Sequence, residues 1–337
     1  MTATATLKAG VVGLGVGEAH ARAYHAHPHC RLAAVCDLKP ERMTSVAARI
    51  PTVRCCSSAD EILCDPSIDI VSIASYDTDH YRQVMQAIEH DKHVFVEKPL
   101  CMARSEALDI RRALSRKPHL KLSSNLILRK SPRFVALKHR IDRGELGELF
   151  LVEGDYHYGR LHKITHGWRG TIEFYSVVFG GAIHLVDLLL WLTGERVVEV
   201  SAIGNRVAAA GSQFKYNDTV LATLRFENDL IGKVGVSYGC MRPHFHGLSI
   251  YGTRATFIND TPHALLYESR DPDVPPQQIV DPYPGVQKGE LLTDFVDAVV
   301  AEREPEVSAE DVFRSMAVCL AIEKAAAAGE IVRVEDI

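Results

Sequence analysis

The sequence predicts an α/β protein in two parts, a doubly wound parallel sheet followed by an α+β domain with an open, mostly antiparallel sheet. Short runs of Val, Ile and Ala alternate with amphipathic helical stretches as far as residue 123. Strands that are apolar along their whole length belong in a parallel sheet covered on both faces. From residue 124 onward the strand-like runs instead alternate polar and apolar residues, which suits an antiparallel sheet with one buried face. At 337 residues the chain also exceeds one ordinary domain. The expected division is therefore 1–123 and 124–337.

In the first part, AGVVGLG (9–15) reads as a strand, GEAHARAYHAH (17–27) as a helix and CRLAAVCD (30–37) as a second strand. KPERMTSVAARI (39–50) has helical spacing, IDIVSIAS (68–75) is a strand and HYRQVMQAIEHD (80–91) a helix. HVFVEKP (93–99), a helix over 103–116 and LKLSS (120–124) complete the alternating series. In the second part a helix in SPRFVALKHRIDRGELG precedes strands at 148–159, 197–207, 219–228, 230–239 and 247–260, and a last helix spans 308–328. Asn228 and Asp229 join two of those strands closely enough for a hairpin.

Apolar residues make up 47% of the chain and charged residues 24%, with a net charge of -5. This balance, without a long basic run, argues against a nucleic-acid surface. No stretch reaches about eighteen uninterrupted apolar residues, so no membrane span is expected. The eight cysteines contain no Cys-x-x-Cys pair, and MTATATLKAGVVG enters a strand pattern without the features of a secretory signal. Reduced thiols and a cytoplasmic location are the expectation. His25, His27 and His29, and the pair His244 and His246, raise the question of a metal. The first group straddles a helix end and a loop, and neither has a thiolate or carboxylate to complete a tetrahedral set.

Gly13-Leu14-Gly15-Val16-Gly17 lies where the first strand turns into the first helix. Glycine lets the backbone approach a pyrophosphate, and a helix N-terminus offers free N–H groups and a positive dipole end. The spacing departs from G-x-G-x-x-G, because the third glycine comes one residue early and Glu18 follows it. Context carries the reading: the second strand ends in Asp37, 22 residues after Gly15. A carboxylate there accepts both hydroxyls of the adenosine ribose and repels a 2′-phosphate, which favours NAD over NADP. Residues 13–17 and Asp37 are thus the expected cofactor contacts of a Rossmann domain.

The strand at 93–99 ends in Glu97-Lys98-Pro99, at the edge where open α/β sheets bind ligands. Proline restricts Lys98 to extended geometry and permits a cis peptide, so the ammonium is aimed. These motifs, with Asn125, the helix opening at Ser131, GGAIHLVDLLLWLTG (180–194), IYGT (250–253) and DFVDAVVAEREPEVSAED (294–311), span almost the entire chain. Together they resemble the Gfo/Idh/MocA oxidoreductases. The turn Gly17-Glu18-Ala19-His20 is similar to a variant within that family. The resemblance implies NAD or NADP on the first domain, with Glu97 and Lys98 beside it. It also implies an open sheet that supports a substrate pocket and joins subunits into a homodimer or homotetramer. One departure is Ser75-Tyr76-Asp77, where the family usually reads Thr-Pro-Asn before a helix.

The segment 180–192 is an apolar helix with His184 and Asp187 inside it, and a buried imidazole and carboxylate need partners. Helical spacing puts His184, Asp187 and Trp191 on one side. In the family this segment reads Asp-x-Gly-x-His-x-x-Asp, its histidine facing the nicotinamide. His184 and Asp187 match, but Gly180 stands where the leading Asp is expected. Asp187 either meets substrate, orients His184 or serves packing. Lys98 and His184 are the expected catalytic pair, with the choice of base left open. Resemblance also puts 155–170 near the substrate. Trp168 can stack on a sugar face and Arg169 can clamp an anion, or the two can join the domains. Tyr156 and Asn125 are further substrate candidates; Tyr158, His162 and His166 are weaker ones.

The expected activity is hydride transfer between NAD and a carbinol or ketone carbon of a small carbohydrate-like molecule: a sugar, cyclitol or nucleotide sugar. No nucleic-acid or membrane partner is expected. Two other classes fit the same motifs: a glycosidase using NAD for transient oxidation, and a non-catalytic NAD-binding regulator.

Overall fold

A computed structural model describes residues 6–337. The chain packs as two compact units. One comprises the described residues up to Ile127 with Gln287–Phe313 and Ile337; the other comprises Leu128–Val286 and Arg314–Asp336. The return of 287–313 to the first unit is a difference from the single division at 123.

In chain order the first stretch forms β1 (Leu7–Val12), α1 (Gly17–Ala26), β2 (Cys30–Cys36), α2 (Pro40–Arg49), β3 (Arg54–Cys56), α3 (Asp60–Leu63) and β4 (Ile70–Ile73). Then follow α4 (His80–Glu89), β5 (His93–Val96), α5 (Arg104–Ser115) and β6 (Leu122–Ser124). The later elements are α6 (Pro132–Asp142), β7 (Leu149–His157), α7 (His162–Thr165), α8 (Ile183–Thr193), β8 (Val197–Asn205), β9 (Thr219–Phe226) and β10 (Ile231–Ser237). The chain continues through β11 (Phe245–Gly252), β12 (Thr256–Asn259), β13 (Ala264–Tyr267), β14 (Gln277–Ile279), α9 (Glu290–Val300), α10 (Ala309–Ala328) and β15 (Val332–Arg333).

The first sheet has the order β3-β2-β1-β4-β5-β6, with every pair parallel. All four residues of β4 are buried, as strands covered on both faces must be. The order reverses between β1 and β4, and open α/β sheets bind ligands beyond the strand ends at such a switch point. α9 joins this unit because its apolar side needs a core. Phe295 packs on Phe95 with ring centroids 5.6 Å apart, and Asp297 lies 3.3 Å from His27.

The second sheet has nine strands in the order β14-β13-β12-β11-β7-β10-β9-β8-β15. All of its neighbours are antiparallel except β7 and β10, which run parallel. β9 alternates buried and exposed residues along its length, the signature of one covered face. The β9–β10 hairpin turns through Asp229 at φ 64°. The run 247–260, expected as one strand, is instead β11 and β12 folded back on each other. The backbone turns at Gly252, where a Cβ would collide with the Leu146 carbonyl.

On the covered face, α8 lies against β7. Two glycines set their approach: a Cβ on Gly154 would stand 3.1 Å from Leu185 Cβ, and one on Gly181 would stand 2.6 Å from the Tyr156 ring. The segment 178–182 is a π-helical turn leading into α8, so the regular helix begins at Ile183, three residues later than the apolar run suggests. Such single turns are rare and often lie at functional sites; here Gly180 and Gly181 of the turn pack closely against Tyr175, Tyr238 and Tyr156.

Candidate active site

The glycine turn of the first unit is built by steric necessity. Gly13 has φ 85°, and a Cβ on it would run into the Ala74 carbonyl at the end of β4. Only glycine takes that conformation without cost. A Cβ on Gly17 would stand 3.0 Å from Val11 Cγ1, so this third glycine serves close packing of α1 on β1. Around Gly15 there is room, with the Arg42 guanidinium 3.6 Å from a Cβ position.

Asp37 closes the turn. Its carboxylate accepts the Leu14 N–H at 2.5 Å and the Lys39 N–H at 2.8 Å, and it pairs with Arg42 at 3.2 Å. A carboxylate has about four lone-pair sites, so Asp37 organises the turn while keeping acceptor capacity for a ribose hydroxyl. The backbone amides, the glycine cradle and this acceptor fit a dinucleotide without a 2′-phosphate. Arg42 was not expected here; its position one turn into α2 carries no motif.

At the end of β5 the Lys98–Pro99 peptide is cis. Glu97 is 9% exposed and lies 3.3 Å from His20 Nε2, which is fully buried. Asn125 Nδ2 donates to Glu97 Oε1 at 2.7 Å. Burial alone would raise the Glu97 carboxyl. The His20 hydrogen bond and charge, the Lys98 charge and the Asn125 donor outweigh burial and bring it down to about 2. Glu97 is therefore a buried anion next to Lys98, and Asn125, expected beside substrate, spends its Nδ2 on it while its buried Oδ1 has no hydrogen-bond partner among the described residues. His80 Nδ1 lies 2.6 Å from the Pro99 carbonyl oxygen, fixing the turn from the first residue of α4. Sequence reasoning passed over His20 and His80 as supports. Their signal was a histidine three residues after Gly17, and another opening a helix beyond β4.

In the second unit, His184 stands at the start of α8, stacked on Tyr156 with centroids 6.1 Å apart and planes 20° apart. His246 lies at 6.4 Å from His184, edge to face. Tyr156 is buried and centres this aromatic wall, touching Tyr158, Tyr238, His244 and His246. Burial, with Tyr158 and Tyr175 nearby, drives its hydroxyl well above the ordinary range, so it remains a neutral donor and acceptor.

Asp187 is fully buried, with Arg129 Nε 2.9 Å from Oδ2 and Nη2 2.6 Å from Oδ1. Ser315 Oγ donates to Oδ1 at 3.3 Å. This is a two-pronged guanidinium–carboxylate pair that ties α8 to the segment following Leu128. Of the three readings for Asp187, the geometry favours packing.

The position of the missing carboxylate is occupied. A Cβ on Gly180 would collide with the Tyr175 hydroxyl and stand 2.8 Å from the Tyr238 hydroxyl. Those two hydroxyls are hydrogen-bonded at 2.9 Å, and both rings are buried. Arg169 Nε donates to Tyr175 Oη at 3.1 Å, and its guanidinium lies 4.6 Å over the Trp168 ring. That face of Trp168 is thus covered by Arg169 rather than offered to a sugar. His162 and His166 are exposed. Among the described residues no group of three His, Cys, Asp or Glu side chains is arranged to hold a metal, and no helix is long and apolar enough to cross a membrane.

Fold and glycine turn are those of an NAD-binding Rossmann protein. The chain belongs to the Gfo/Idh/MocA family. Residues 7–125 match the model described as "Oxidoreductase family, NAD-binding Rossmann fold", and residues 134–258 match the "GFO/IDH/MocA C-terminal domain". It is 24% identical over 339 residues to the uncharacterized oxidoreductase YrbE of Bacillus subtilis, covering 98% of each chain. It is 28% identical over 240 residues to an inositol 2-dehydrogenase of Acidothermus cellulolyticus, covering 70% of this chain and 68% of that one. A levoglucosan dehydrogenase solved with NADH and levoglucosan superposes with a TM-score of 0.87 at 22% identity, over 98% of this chain and 100% of the other.

Proposed function

We propose that the chain is an NAD(H)-dependent dehydrogenase or reductase for a carbinol or ketone carbon of a sugar-like or cyclitol-like molecule, nucleotide sugars included. The observation that carries this reading is the end of β5. There a half-buried lysine follows a buried carboxylate that is held by His20 and Asn125, in the same unit as the Gly13–Gly17 turn. The named relatives, an inositol dehydrogenase and a levoglucosan dehydrogenase, both act on such molecules.

NAD, when bound, supplies the hydride acceptor. Residues 13–17 and Asp37 hold it, and the charge of Lys98 is one of the influences that keep Glu97 ionised. Lys98 and His184 manage the substrate hydroxyl proton: the ammonium polarises the oxygen, and the imidazole suits proton transfer near neutral pH. Support for assembly into a homodimer or homotetramer comes from the open face of the second sheet. Ile203 and Leu221, paired in register across β8 and β9, are 68% and 43% exposed there.

The test is a panel of sugars and cyclitols assayed for NADH formation and, in parallel, for glycoside cleavage. Lys98→Met and His184→Ala are each expected to lower kcat by at least about 100-fold while NAD still binds. Normal turnover in both would remove the proton assignment. Glycoside release without net NADH would point to the transient-oxidation class.

A further inference from the structure

Arg169 is a half-buried guanidinium with no carboxylate within 4.0 Å among the described residues. Its Nε is used by Tyr175, and its plane rests on Trp168 and, at 5.7 Å, beside Tyr175. Neither Nη nitrogen donates to a protein acceptor among the described residues. A guanidinium presents five N–H donors in a planar fork shaped for a carboxylate or phosphate. Buried charges are normally paired, and this one is braced from behind without an anion in front.

The groups around it sharpen the point. Tyr158 adjoins Tyr238 at 4.5 Å and carries a second guanidinium, Arg160, 5.2 Å from its ring. Burial, reinforced by Arg160, holds His244 down at about 4; burial and the neighbouring histidines hold His246 well below its ordinary value. No carboxylate acts on either imidazole. Gly180, backed by the two tyrosine hydroxyls, leaves no space for one. The side chains named on this wall are phenols, imidazoles held neutral by burial and two guanidiniums, with no carboxylate among them to answer the positive charge.

We infer that the substrate is acidic: a saccharide or polyol acid whose carboxylate is received by Arg169 on this tyrosine-lined wall. This rests on the oxidoreductase reading for what happens next to the molecule, but not for its binding. The carboxylate takes the place of the missing counter-ion, accepting from the Nη nitrogens, while Tyr175, itself hydrogen-bonded to Tyr238, holds Nε and fixes the fork. Tyr175 and Tyr238 are positioning residues, and Arg169 determines specificity.

The full chain loaded with NADH is titrated calorimetrically with matched probes: D-gluconate and D-glucuronate against D-glucose and myo-inositol, with D-glucose 6-phosphate as a separate arm. At least one acid is expected to bind about ten-fold or more tightly than the neutral probes, with the preference shrinking as NaCl is raised. Arg169→Gln is expected to abolish that preference, and Arg169→Lys to keep part of it, while NADH affinity in both reports an intact fold. Should Arg169→Gln fail to fold, the lysine variant and the salt series carry the test on their own. The inference is overturned if no acid outbinds its neutral counterpart, if the preference survives in Arg169→Gln, or if only the phosphate ester binds. Oxidation of neutral probes without acid preference would sink the inference alone. Acid binding without NADH formation from any probe would sink the oxidoreductase reading alone.

Discussion

The Tyr175 hydroxyl lies within clash distance of the first side-chain carbon that any residue but glycine at 180 would carry. A carboxylate at this position would therefore have to displace Tyr175, besides being missing from the sequence. Tyr175 is itself held by Tyr238 and Arg169, so the substitution at 180 and the network behind it form one unit.

Gly180→Asp is accordingly expected to destabilise rather than to restore a relay. Overpacking of this kind costs about 1–3 kcal/mol or more, read from urea unfolding. In a Tyr175→Ala background the same change should cost less by at least about 0.5 kcal/mol, the coupling expected of groups in contact. Additive costs in the double-mutant cycle would show that the two positions do not compete for space.

Asp187 is expected to behave as a structural group. Asp187→Ala removes the carboxylate that takes two prongs of the buried Arg129 guanidinium, a loss of about 3–5 kcal/mol. The double change Arg129→Met, Asp187→Leu removes both charges and should be milder than the single one. A stable Asp187→Ala protein with impaired turnover would instead return this residue to the substrate.

Asp37→Ser should invert cofactor choice. NAD affinity is expected to fall about ten-fold with the loss of charged hydrogen bonds. Binding of NADP should rise, because Arg42 is released from its ion pair close to Gly15 and a nearby arginine accommodates a 2′-phosphate. Fluorescence titration with NADH and NADPH reads both. An unchanged ratio of the two affinities would contradict the role given to Asp37.

Glu97 makes a prediction about pH. Its folded value is about 2 against an ordinary 4.5, so it binds its proton less readily folded than unfolded. The stability this supplies is present above about pH 4.5 and is lost as pH falls towards 2, by up to about 3 kcal/mol. Wild type should therefore exceed Glu97→Gln in unfolding free energy at pH 6, with the difference shrinking by pH 3. A difference independent of pH would mean that the carboxyl is not held ionised by His20, Lys98 and Asn125.

The doubly wound sheet was legible because its determinants are local and repetitive: continuous Val and Ile runs spaced by amphipathic helices, then a glycine turn and an acid at the next strand end. β3, three residues long, and β13, β14 and β15, also short, carried too little pattern to be read. The break between β11 and β12 was hidden in a run whose alternation continues through the turn. His20 and His80 were visible as residues, but their partners, Glu97 and the Pro99 carbonyl, lie 77 and 19 positions away.

By itself, the sequence determined the class of fold, the NAD turn with Asp37, and the candidates Lys98 and His184, since each follows from residue type and near-neighbour spacing. Tertiary structure alone decided which partner each polar side chain took. Asp187 went to Arg129 and Ser315, Asn125 to Glu97, and Arg169 to Tyr175 and Trp168. The physical reason is that a buried charge is satisfied by whatever the fold brings within about 3 Å, and proximity of that kind is set by packing across strands and helices distant in the chain.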